Sequence, residues 1–136
     1  MSDTFVVIEQ TGYSFVTDSG TDTLATLQLL VDGLVECVTP NPKVLGFTCA
    51  DVWVNEEGLY RPDFSINLVA SYITGRQLVG PAVLARSTSQ GRTVGLTERQ
   101  LERLAADGLF LDYNEGKNWT AEEVVAWRPT REEVGG

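Results

Sequence analysis

Apolar side chains along this chain crowd into short runs, which turn residues separate. Phe5 to Ile8 is such a run, Thr11-Gly12 offers a turn, and Tyr13 to Thr17 is again rich in β-formers, so the pattern predicts an N-terminal hairpin. Ser19-Gly20-Thr21-Asp22 then supplies N-cap candidates. Leu24, Leu27, Leu30 and Val31 recur at helical spacing until Asp32-Gly33 ends the pattern. Leu34 to Val38 reads as a strand that stops at Pro40-Asn41-Pro42. Val44 to Val54 reads as one central strand bent near Gly46 and closed by the turn Asn55-Glu56-Glu57-Gly58.

Phe64, Leu68, Val69, Tyr72 and Ile73 predict a second helix, with Thr74-Gly75 as its stop. Val79 to Ala85 is a further strand, and Gly80-Pro81 near its start suits a strand entrance or a sheet edge better than a sheet interior. Gly91 and Gly95 bracket a turn region. Thr97 to Gln100 has the spacing of a capping box, with Leu96 and Leu101 as its staple and Leu101, Leu104 and Ala105 as the buried stripe. A second box runs from Thr120 to Glu123 between Trp119 and Val124, which explains Asn118-Trp119-Thr120 better than glycosylation does. The pattern adds up to a single α+β domain over residues 1–127, a small antiparallel or mixed sheet with about three main helices packed on it, and a flexible tail over 128–136. The N-terminal hairpin and Gly80-Pro81 mark sheet edges that a homo-oligomer would cover.

The 136 residues match the size of one domain, and 43% hydrophobic content is that of a globular chain. Nineteen acidic against ten basic residues leave a formal charge of -9, which repels a phosphate backbone. The arginines of the second half are spread along the sequence, so direct nucleic-acid binding is not expected. An acidic surface can also imitate DNA, and that is one reading of the charge. The start MSDTFVVIEQ lacks the basic and long apolar segments of a signal peptide, so the expected location is the cytoplasm, with no membrane partner. Cys37 and Cys49 are then free thiols packed within strands.

With no histidine in the chain, the usual general base and the commonest metal ligand are missing. Two cysteines do not complete a zinc site, and no phosphate-cradling glycine loop is present. No cofactor, metal or catalytic residue is therefore expected, and the remaining enzymatic route is convergence of Glu9, Glu36, Asp51, Glu56 and Glu57 around a divalent ion.

Leu34 to Val38, Val52 to Gly58, Asn67 and Val79-Gly80, with the Gly-Leu-Thr-Glu opening of a later helix, resemble a family of small phage and plasmid proteins of unknown function over about residues 21 to 105. In that family a helix leads into a glycine and an "IE" strand, then an "NEEG" turn and a later asparagine. This chain departs from it at Asp32, where a second glycine is frequent, at Pro81, where an acidic residue is usual, and after Gly108. The resemblance implies a mobile-element origin, hence the bacterial host cytoplasm, and a compact α+β fold.

The first functional expectation is a non-enzymatic, phage-encoded accessory protein that binds a host protein to modulate host machinery or antiphage defence. The alternative is an oligomeric module that sequesters a small anionic, nucleotide-like ligand. The candidate binding residues are Asn55, Glu56, Glu57, Tyr60, Arg61, Asn67 and Arg76. In them, guanidinium forks would hold phosphate and Tyr60 or Trp53 would stack on a base. Against this, Asn55 to Gly58 can be a plain turn and Asn67 a helix cap or a buried amide tie.

Overall fold

A computed structural model describes residues 4–18, 20–107 and 119–128. Six strands, β1 (Thr4–Ile8), β2 (Ser14–Asp18), β3 (Val35–Val38), β4 (Ala50–Asn55), β5 (Ala82–Ser87) and β6 (Thr93–Val94), form one sheet. Its order is β2-β1-β5-β4-β3, every pair is antiparallel, and β6 extends from the end of β5. The helices are α1 (Thr23–Val31), α2 (Pro42–Leu45), α3 (Leu68–Thr74), α4 (Glu98–Asp107) and α5 (Ala121–Trp127). The expected α+β fold and the N-terminal hairpin are present, as are both capping boxes: Thr97 exchanges hydrogen bonds with Gln100, and Thr120 with Glu123.

The unbroken Phe5-Val6-Val7-Ile8 run follows from a sheet that is covered on both faces. Successive side chains of a strand point to opposite sides, so Val6 and Ile8 join Val52, Val54 and Leu84 beneath α3 and α4. Phe5 and Val7 join Phe15, Val83 and Ala85 beneath α1 and α5. Trp119 and Trp127 make edge-on contacts with Phe15, and Trp119 pairs with Val16 and Asp18 along the outer side of β2, so that edge is covered from within the chain.

The structure corrects several expectations. Val44 to Val54 is not one strand: Asn41 accepts a hydrogen bond from Lys43 N, Pro42 opens α2, and Gly46 closes it at φ 94, so only the last part remains for β4. Phe64 lies outside its helix, because Asn67 caps α3 and accepts from Ala70 N. Gly80-Pro81 is a strand entrance but not an edge, since β5 lies between β1 and β4; Pro81 precedes the first paired residue, Ala82, so no ladder donor is lost. Cys37 and Cys49 are free but exposed rather than packed inside. Cys49 stands just ahead of β4 in a left-handed conformation at φ 64.

The expected tail does not begin at Arg128. Its guanidinium grips Glu9 at 2.7 and 2.8 Å and donates to the Leu30 carbonyl, joining the end of α5 to β1 and α1. Residues 129–136, the rest of that tail, lie outside the described residues. The Glu9 side chain is only 5% exposed, so removing its partner leaves a buried carboxylate uncompensated. Arg128→Ala should therefore lower unfolding stability by about 3 kcal/mol in urea titrations, with part regained in Arg128→Leu/Glu9→Gln. A single variant as stable as the parent would show that the pair does not hold α5 in place.

Candidate functional site

The two asparagines singled out by motif lie at one end of the sheet, and their side-chain amides are committed to backbone groups. Asn55, at the end of β4, donates to the Val31 and Asp32 carbonyls at 3.1 and 3.0 Å and accepts from Glu57 N at 2.7 Å. Those carbonyls are ones the C-terminus of α1 leaves unpaired. Gly33 makes the contact feasible, because a Cβ there would lie 2.6 Å from the Asn55 amide nitrogen. Arg61 adds a second bond to the Asp32 carbonyl, ion pairs to Asp32 and Asp63 at 2.6 and 2.9 Å, and a stacking contact on Phe64. The hydrogen bonds it donates, first to Asp63 and then to Asp32, raise its pKa further, so it stays charged.

Asn67 works the same way one connection later. Fully buried, it caps α3 and donates to the carbonyls of Ile8 and Gly80 at 2.8 and 2.9 Å. Gly80, at φ 77, has the Phe64 ring 2.5 Å from where a Cβ would stand. Glycine and asparagine are thus paired twice, each amide filling space that a missing side chain leaves open or bonding the carbonyl that glycine presents. Glu56 and Glu57 are exposed at the turn, Tyr60 is exposed beside them, and Arg76 is exposed past the end of α3. The carboxylates do not converge: Glu9 serves Arg128, Asp51 accepts from Ser87 Oγ, and among the described residues no three metal-binding side chains come together.

At the opposite end of β4 lies a cleft of about 740 Å³. Its walls are the link from α2 to β4 (Gly46 to Cys49), the end of β5 with its turn (Arg86 to Ser89), and the first turns of α4. Three arginines, Arg86, Arg99 and Arg103, line it, and no Asp or Glu does among the described residues, on a chain carrying nearly two acids for each base. The linear sequence hides this cluster because 13 positions separate Arg86 from Arg99, and only the turn from β5 through β6 into α4 brings them to one place.

Much of the donor capacity in this cleft is unspent. Arg86 donates Nε to the Gly95 carbonyl at 3.2 Å, and its terminal amino groups donate to nothing among the described residues. Arg99 likewise donates to none of them. The oxygen of the Gln100 side chain accepts from Thr97 N, so its amide protons remain available. Arg103 lies against Gly46, its Nε 2.6 Å from the point a Cβ would occupy, so the absent side chain seats the guanidinium. The α4 N-terminus adds the partial positive charge of its aligned peptides.

The Cys37 thiol stands apart from this cleft, on β3, and is pushed up to about 11 by desolvation first and by the Asp51 charge second. A thiol so placed is a poor nucleophile.

The architecture is that of a small antiparallel α+β domain with a cationic cleft at one end of a sheet covered on both faces. The chain belongs to the family described as domain of unknown function DUF3846, whose model matches residues 1–108. No curated protein and no solved structure matches it. No helix among the described residues is long and apolar enough to cross a membrane.

Asn67→Asp keeps the acceptor for Ala70 N but aims a carboxylate at two carbonyl oxygens, so it should cost more than Asn67→Ala, itself about 2–3 kcal/mol by chemical denaturation. Equal stability of all three proteins would remove Asn67 from the structural account. For Cys37, in a Cys49→Ser background, alkylation by iodoacetamide should climb with pH toward about 11, and Asp51→Asn should speed it at pH 8. Because the unfolded thiol ionises near 9.0 and the folded one near 11, Cys37 ionisation should erode stability only as pH rises through that interval.

Proposed function

We propose that this protein is a non-enzymatic binding module that holds a small anionic ligand in the cleft lined by Arg86, Arg99 and Arg103. The observation that carries this reading is the unspent hydrogen-bonding capacity of Arg86, Arg99 and Gln100 in one cleft that no Asp or Glu lines among the described residues, on a strongly acidic protein. An arginine held as a planar fork suits phosphate or carboxylate oxygens. The acidic remainder of the surface sets a size limit: a compact anion meets mainly the arginines, whereas a long polyanion also meets the negative field outside. No histidine is available for proton transfer and the carboxylates among the described residues are dispersed, which favours retention of the ligand over its conversion.

A second reading draws on Leu59 and Tyr60, adjacent on a short 3-10 turn and 77% and 87% exposed. Such a pair suits a protein contact, in keeping with a phage-encoded accessory protein that engages a host protein, or with a homo-oligomer. Sedimentation of the parent and Tyr60→Ser separates the last two, since a dimer formed through this turn would dissociate on substitution.

For the cleft, calorimetry with pyrophosphate at low ionic strength should show saturable binding that weakens as salt is added. Arg99→Ala, which removes an exposed guanidinium with no structural bond among the described residues, should weaken binding by about fivefold to tenfold. A folded parent protein that binds none of sulfate, phosphate and pyrophosphate would overturn the reading.

A further inference from the structure

The cleft is larger than a simple anion requires. Sites for organic ligands occupy roughly 300–1,000 Å³, and this one, at about 740 Å³, lies well inside that range. Beyond the arginines, the lining has one aromatic side chain among the described residues, Phe47, directly after Gly46 on which Arg103 rests. Phe47 is half-buried: part of it packs against the core beneath α3 and α4, and the remainder faces the cleft. An aromatic side chain anchored in this way presents a surface without paying much side-chain entropy when a ligand arrives. Hydroxyls of Thr88 and Ser89 line the same space and suit the polar edges of a ring.

Resting on the anion-binding reading above, we infer that the ligand is a nucleoside phosphate, its phosphates held by Arg86 at the end of β5 and Arg99 in the first turn of α4, and its base laid on Phe47. A free nucleotide is favoured over a nucleic-acid strand, because every phosphate beyond the cleft would meet a protein whose formal charge is -9. The base is read by stacking, so purines and pyrimidines differ in strength rather than in kind.

The test compares pyrophosphate, adenosine, ADP and UDP by calorimetry on the full chain. ADP is expected to bind about tenfold tighter than pyrophosphate, UDP by a smaller margin, and adenosine far more weakly than either, with stacking as the source of the gain. Phe47→Leu, which keeps an apolar side chain against the core, should bring ADP down to the affinity of pyrophosphate and leave pyrophosphate unchanged. That unchanged affinity also reports that the variant is folded. In a Cys37→Ser background, ADP should protect Cys49, which lines the cleft, from alkylation more strongly than equimolar pyrophosphate does. Equal affinities for ADP and pyrophosphate, or a Phe47→Leu protein that still prefers ADP, would overturn the nucleoside assignment while leaving anion binding in place. Failure of the parent protein to bind any of the phosphate-bearing compounds would overturn both.

Discussion

β5 hydrogen-bonds to β1 on one side and to β4 on the other, so the sheet is continuous only once this strand is in place. Both cores depend on it, since Leu84 and Ala82 point to one face while Val83 and Ala85 point to the other. Without it the chain holds two separate hairpin-like pieces, β1 with β2 and β3 with β4, each with an open edge. The closing pairs are distant in sequence, as Val6 faces Leu84, so the loop closure they require comes before most of the burial that rewards it.

The same strand links the two ends of the molecule. Its entrance, at Gly80, is tied by Asn67 to the end of β1, while its exit, at Arg86 and Ser87, forms a wall of the cationic cleft. At the first end Asn55, Arg61 and Asn67 are consumed in holding connections to the sheet. At the second end Arg86 and Arg99 keep donors unspent, and Cys49 and Gly46 hold left-handed conformations. Unspent polar capacity and unusual backbone in one place fit a site that meets something outside the chain.

The elements were legible in the sequence wherever a local rule decides them. Thr97 with Gln100 and Thr120 with Glu123 marked helix starts that the structure contains, and the β-forming residues of Tyr13 to Thr17 marked a real strand. Local reading failed where one segment satisfied two patterns. Val44 and Leu45 are good strand residues, but Asn41 and Pro42 ahead of them and Gly46 behind them impose a helical turn. The cleft was not legible at all, because its charge comes from three arginines on β5 and α4, and its aromatic from a link 39 positions before Arg86. The candidate residues were conspicuous for a different reason: asparagine beside glycine signals a backbone arrangement as readily as a binding pocket, and Asn55 and Asn67 both serve the former.

The region matching the family ends at residue 108, yet α5 lies beyond that point and supplies Ala121 and Val124 to the core over Phe15 and Leu30. A family boundary and a folding boundary therefore differ in this protein. Shortened versions cut at the former would bare a wide greasy face and strand Glu9 beside it without its counter-ion. A relative that has no such helix must roof that face by some other means, which makes the extension a natural place for members of one family to diverge.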